Sequence, residues 1–121
     1  MKISIAVDFS KYPAGRFPED GPYNGTKFRE EVLAPRLREL GESEYLEVTL
    51  DGVAGVGSSF LEEAFGGLVR SGILPKEFLE ERLIVSAEDD PLRDFARLAK
   101  KYIEEATAPT PPHEPAWTPS P

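Results

Sequence analysis

The chain has 121 residues, and half of its 12 prolines fall at positions 107–121, which leaves about 106 residues for one folded domain and too few for two. Acidic side chains outnumber basic ones by 22 to 14, a formal charge of −8 that repels nucleic-acid phosphates and anionic lipid, so neither nucleic acid nor a membrane surface is an expected partner. There is no cysteine, and the only histidine (His113) and only tryptophan (Trp117) lie in the proline-rich stretch TAPTPPHEPAWTPSP. The body therefore lacks thiol and imidazole, which removes thiolate catalysis, a serine-histidine-aspartate triad and the usual metal ligands. No enzyme, cofactor or metal site is expected. The opening MKISIAVDF is too short for a signal peptide and no apolar run reaches membrane-spanning length, so a cytoplasmic location is expected.

In chain order, Ile3, Ile5, Val7 and Phe9 alternate with Ser4, Ala6 and Asp8, which predicts a first strand over 2–9. Residues 10–24 hold three prolines and two glycines without helical or strand period, and predict a long ordered loop. The spacing of Phe28, Val32, Leu33, Leu37 and Leu40 predicts a helix from near Thr26 to Gly41, kinked or broken at Pro35. Tyr45 to Leu50 reads as a second strand running into the glycine-rich turn GVAGVGSS. The next helix is the clearest: Phe60, Leu61, Ala64, Phe65, Leu68 and Val69 form a broad apolar stripe closed by Gly72, and Ser59 with Glu62 fits a capping box. A short helical turn over 75–81, a buried strand over 83–87 and a final helix capped by Asp90 with Pro91 at its start complete the domain. Strands alternating with helices imply an α/β layer, residues 1–106, followed by a disordered tail, 107–121.

Six of the ten glycines lie between Gly52 and Gly72, and functional residues are sought there first. The stretch Gly52–Ser59 has the glycine spacing of a phosphate loop, but Ser58 stands where the phosphate-binding lysine belongs, so the plainer reading is a tight strand-to-helix turn. Gly66 and Gly67 inside a helix each cost about 1 kcal/mol against alanine, so close packing is expected there, with the domain's own sheet as the approaching surface. Arg16, Arg29 and Arg70 are candidate anion-binding cations. Arg16 and Arg29 are placed to converge near the Ser58 turn, and the plainer alternative is solvated arginines or pairs with Asp8, Asp20 or Glu30. The doublets Glu30–Glu31, Glu62–Glu63 and Asp89–Asp90 read as mostly solvated faces.

The string LDGVAGVGSSFL resembles the segment of anti-sigma factor antagonists and other STAS domains in which a strand leads into D-S-S-G-L-G at a helix start. Aligned on the serine pair, Ser58 takes the phosphoacceptor position and Ser59 the following serine, with Gly57 in place of the aspartate before them and Phe60 in place of the glycine after them. A broader likeness, over about 3–85, is to a STAS-like bacterial family of uncharacterised function. It rests on Asp8–Ser10, Gly15–Arg16, Asp20–Gly21, Phe28–Glu30, Leu33, Pro35 and above all the block Gly57–Arg70. The resemblance implies a STAS-like fold, a small mixed sheet backed by helices, and a regulatory protein-interaction role. Its implied partner is a histidine-kinase-like ATPase or anti-sigma factor that phosphorylates Ser58, with Gly57, Ser58, Ser59 and Phe60 on the partner face. The alternative from the residues themselves is a small-anion or nucleotide site on the Gly52–Ser59 turn.

Overall fold

The computed structural model describes residues 1–108, so all but the first two residues of the 107–121 stretch, with His113, Trp117 and the expected disorder of that tail, lie outside the described residues. Three strands, β1 (Lys2–Ser4), β2 (Leu46–Thr49) and β3 (Leu83–Ser86), form a sheet in the order β1-β2-β3. Both pairings are parallel, so the α/β class expected from the alternation holds while the sheet among the described residues is parallel and not mixed. Ile3, Val48 and Val85 stand in register on one face, and Lys2, Glu47 and Ile84 in register on the other. Ile3 and Val48 are fully buried, whereas Ile84 is 46% exposed and Ser86 Oγ donates to Glu47 Oε2 at 2.7 Å. The helices cover the first face, and the second is polar and half open, unlike the common parallel sheet clad on both sides.

β1 is shorter than its alternation suggests. After Ser4 the chain winds into a single helical turn, α1 (Ile5–Asp8). Ser4 Oγ accepts from the Val7 amide at 3.1 Å, and the Ser4 amide donates to the Asp8 carboxylate at 2.8 Å. This reciprocal cap satisfies amides that a continued strand would have paired, so a local side-chain option outcompetes the period-two pattern. Ile5 still points into the core, but Val7 is exposed.

The second element, α2, runs over 25–38 and starts where Asn24 Oδ1 accepts from the Lys27 amide at 2.8 Å. It neither breaks nor ends at Pro35. Between the α-helical stretches Gly25–Phe28 and Ala34–Arg38 lies a widened π turn, Arg29–Leu33, in which the Ala34 amide reaches back to the Arg29 carbonyl. The widening lies where the proline, with no amide of its own, would otherwise press its ring on the carbonyl four residues earlier.

The third long element, α3 (58–70), is built in the same way: Ser58–Leu61, a π turn at Glu62–Gly66, then Gly67–Arg70. It is followed by α4 (Lys76–Arg82) and α5 (Asp90–Glu105), whose N-cap position is held by Asp89, one residue before the expected cap, without a side-chain hydrogen bond. Phe28, Phe60 and Phe65 are fully buried, with ring centroids 5.8 Å (Phe28–Phe60) and 6.3 Å (Phe28–Phe65) apart. Each contributes about 1.5–3 kcal/mol by leaving water. This aromatic seam binds α2 to α3, and α5 packs across the π turn of α3 and onto β3.

Candidate functional site

The 10–24 loop is ordered by its own short contacts. The Asp20 carboxylate accepts from the amides of Arg16 (3.1 Å) and Phe17 (3.0 Å), closing a turn around Pro18–Asp20. Gly15 has φ +85, and a Cβ there would sit 2.5 Å from Asp20 Cβ, so both the conformation and the close approach require glycine. The Gly15 and Arg16 carbonyls then accept from the amides of Gly25 and Thr26, which fastens the loop to the first turn of α2. Those two short motifs, Gly15–Arg16 and Asp20–Gly21, thus build one device that presents the Arg16 side chain to α3.

There Arg16 meets a cluster of charges at the crossing of α2 and α3. Arg16 Nη1 donates to Glu62 Oε1 at 2.5 Å, and Arg70 grips the same carboxylate with both terminal nitrogens, Nη2 at 3.0 Å from Oε1. Arg29 Nη1 donates to the Glu63 carboxylate (2.8 Å) and to the Glu63 carbonyl (2.6 Å), while Thr26 Oγ1 lies 2.8 Å from the Arg16 carbonyl and 3.2 Å from Glu63 Oε2. The Arg29 and Glu63 side chains are only 10% and 11% exposed; those of Arg16 and Arg70 are 38% and 42% exposed. The guanidinium of Arg70, followed by that of Arg16, holds the Glu62 carboxyl below its usual 4.5 despite partial burial, and Glu62 in turn raises Arg16.

Arg16 and Arg29, expected to converge near the Ser58 turn, converge instead on Glu62 and Glu63, and Arg70 joins them there. The glutamate doublet, which reads as a solvated face, is the centre of the cluster. Its fingerprint in the sequence is the pair Gly66–Gly67. A Cβ on Gly67 would overlap the Arg29 guanidinium, and one on Gly66 would lie 2.7 Å from Glu62 Oε2. The close approach that these glycines permit is thus made by charged side chains, one of them from α2, and not by the sheet. Both π turns contribute: Arg29 opens the one in α2, and Glu62 and Glu63 open the one in α3, so the two widened turns face each other through their charges.

The serine turn lies one helical turn away. Gly57 is the N-cap and Ser58 the first helical residue, and no side-chain hydrogen bond caps the helix. The expected Ser59–Glu62 capping box does not form, because the N-cap is Gly57 and Ser59 lies within the first turn, while the Glu62 carboxylate binds arginines instead. Ser58 is exposed and Ser59 half buried, but Phe60 is fully buried against Phe28 and cannot belong to a partner face. In the preceding turn only Gly52 has a positive φ, +96, while Gly57 has φ −90 and open space beside it.

A second anchor, missed in the sequence, sits at the end of β2. The Asp51 carboxylate accepts from the amides of Glu88 (3.0 Å) and Asp89 (3.1 Å) and lies 3.2 Å from Thr49 Oγ1. These donors, the Glu88 amide first, hold its pKa below the ordinary 3.8. Asp51 thereby ties the β2 end to the start of α5. Among the described residues no group of three or more acidic or histidine side chains is arranged to hold a metal, and no helix is long and apolar enough to cross a membrane.

A family model described as a STAS-like domain of unknown function (DUF4325) matches residues 24–93, more than half of the sequence. The chain belongs to this family. The match runs from the α2 cap to the first turn of α5 and includes Arg29, the Ser58 turn, both glutamates and Arg70, while β1 and the Arg16 loop precede it. No curated protein and no solved structure matches the chain.

Proposed function

We propose that this STAS-like domain is a non-enzymatic regulatory module whose partner face is centred on the Gly57–Ser58 helix start, with Ser58 as a phosphorylation switch. The observation that carries the proposal is the state of Ser58: an exposed hydroxyl at the first position of a 13-residue helix, 58–70, with no capping role. A helix start favours a phosphate through its unpaired amides and the positive end of its dipole. The partner class is a histidine-kinase-like ATPase of the anti-sigma type. It transfers the γ-phosphoryl group of its ATP to Ser58 Oγ with release of ADP, the hydroxyl proton passing to the kinase.

The arginine cluster changes what that phosphate would do. From sequence, Glu62 and Glu63 make the neighbourhood acidic and suggest repulsion. With Arg16, Arg29 and Arg70 against Glu62, Glu63 and the more exposed Glu30, 3.7 Å from Arg29, the cluster is formally neutral and not acidic. Residues 58 and 62 are four apart on one helix face, about 5–6 Å between their Cβ atoms. A phosphate of about −1.5 to −2 charges on Ser58 competes with Glu62 for its two half-exposed arginines, and where it draws Arg16 it loosens the 10–24 loop from α3. The small-anion or nucleotide reading has less support. Arg16 and Arg29 are already engaged, and the Val53 and Ala54 amides of the Gly52–Ser59 turn donate to Leu50 and Lys11 carbonyls.

The test is intact-mass and peptide analysis of the chain recovered from its own cells, together with capture on native, Ser58→Ala and Ser58→Asp baits. The expected result is a phosphorylated fraction at Ser58 and an ATPase partner retained by native and Ser58→Ala baits but lost from Ser58→Asp. Equal retention by all three baits, with no phosphate found, overturns the proposal.

A further inference from the structure

β3 pairs with β2 on one side, and among the described residues no strand pairs with its other side. The Ser86 carbonyl accepts from the Leu50 amide at 3.0 Å, so Ser86 and Ile84, two apart, aim their backbone groups at β2. Val85 between them turns its amide and carbonyl to the outer edge, and neither these nor the Ala87 amide have a hydrogen-bond partner among the described residues. The strand is open toward the helices as well. In the row Ile3, Val48, Val85 the first two are fully buried, but Val85 is half-buried and, with Ala87 and Ala96, floors a groove of about 320 Å³ between β3 and α5. Its walls carry Arg93, Arg97 and Lys100 and no carboxylate, whereas the grooves beside α2 and α3 mix both signs. In a chain of formal charge −8 that is a local reversal of sign. Arg93 and Arg97 pair with Asp90 and Asp94 on the same helix, but those carboxylates are 84% and 80% exposed, and surface pairs of this kind exchange readily.

We propose that the β3 edge takes up an extended acidic segment of a partner protein as a further strand. Backbone groups of the segment pair with Val85 and Ala87, and its carboxylates, at alternate positions, meet Arg93, Arg97 and Lys100. The dimensions agree. Seven residues of helix from Arg93 to Lys100 rise about 10.5 Å, and two or three alternate side chains on a strand span about 7–13 Å. The intervening side chains fall on the other face, beside the 46% exposed Ile84, where apolar residues fit best. A second copy is the wrong occupant, since two β3 edges joined about a two-fold axis bring their own cation stripes together. Nucleic acid offers negative charge but no strand to match the free backbone groups. The inference uses neither Ser58 nor the α2–α3 cluster.

The probe is a fluorescein-labelled, end-blocked hexapeptide alternating glutamate and valine, titrated with the full chain and followed by anisotropy. Saturable binding is expected, with amide hydrogen exchange slowed at Val85 and Ala87. The same peptide with lysine for glutamate, or N-methylated along its backbone, is expected to bind at least about tenfold more weakly. Arg97→Glu and Lys100→Glu, both at exposed positions, should each weaken binding about tenfold with circular dichroism unchanged. No saturation by the glutamate peptide at millimolar concentration overturns the proposal, and so does equal affinity for the lysine or N-methylated version. A short oligonucleotide that binds as tightly as the peptide also overturns it and assigns the stripe to phosphates. A native chain that dimerises and protects Val85 without peptide overturns it in favour of a second copy.

Discussion

The inner and outer halves of the α2–α3 charge cluster use the same residue types and behave as different devices. Arg29 and Glu63 are enclosed between two helices, with Arg29 fitted over Gly67, whereas Arg16, Arg70 and Glu62 lie toward solvent, joined to a loop and to the helix end. Burial decides the difference. Inside, removing either partner takes from a charge that water barely reaches its closest counter-ion; outside, water replaces whatever is lost. The inner pair therefore specifies how α2 crosses α3, and the outer three residues are free to exchange partners.

The sharpest way to break this contrast is Arg29→Ala, which takes from the buried Glu63 carboxylate its closest cation, leaving Arg16 and Arg70 at 3.6 Å, and is expected to cost up to about 3 kcal/mol in urea unfolding, the low end for a broken buried pair. Arg29→Met with Glu63→Leu should recover most of that loss, as an apolar pair of similar volume carries no desolvation cost. Next in size is Gly67→Ala. Its methyl group meets the Arg29 guanidinium and should destabilise by about 1–3 kcal/mol, with a much smaller penalty in the Arg29→Met background. Arg16→Ala should cost no more than about 1 kcal/mol, because the pair is more than a third exposed on the arginine side. Its clearer signature should be faster hydrogen exchange at the Thr26 amide, which donates to the Arg16 carbonyl.

The outer half also has a pH signature. The folded-state pKa of Glu62 lies below its ordinary 4.5, so its stabilising contribution is fully present above that value and is lost as the pH falls through the lowered pKa. Thermal unfolding followed from pH 6 downward should therefore show a steeper acid loss in the native chain than in Glu62→Gln. Asp51, lowered from 3.8, acts in the same direction and should be separable with Asp51→Asn. The smallest expected effect is that of Ser58→Asp, within about 0.5 kcal/mol of native, since Ser58 caps nothing and is exposed. A large loss there would show that the serine turn is part of the core architecture and not an open face.

Much of the fold was legible because it depends on local periodicity. The stripe from Phe60 to Val69, the α2 helix expected from near Thr26, Pro91 in the first turn of α5 and the alternation of strands with helices all carry their own signals. Misreadings arose where a nearby competitor intervened. At Ser4 a reciprocal side-chain cap ended a strand whose apolar alternation continued to Phe9, and at Pro35 a π turn absorbed the proline without breaking the helix. In the candidate site, Arg16, Arg29, Arg70 and Ser58 could be named from the chain, as could the tight packing at Gly66–Gly67. Phe60 could not be placed, since a residue beside the exposed serine turn also lies on the helix stripe that faces the core.

Composition and periodicity alone determined an acidic α/β domain with neither thiol nor imidazole in its body, a serine at the start of its clearest helix and a close approach at the glycine pair. Only the tertiary structure decided which charges meet. Arg16 and Glu62 are 46 residues apart and Arg29 and Glu63 are 34 apart, distances over which no helical or strand period carries information. Ion pairing of that kind depends on two helices crossing at a particular place, and the crossing is settled by the aromatic seam and the glycine pair together. For that reason a doublet of glutamates that looks like solvent-facing surface in the chain is the centre of the cluster in the fold.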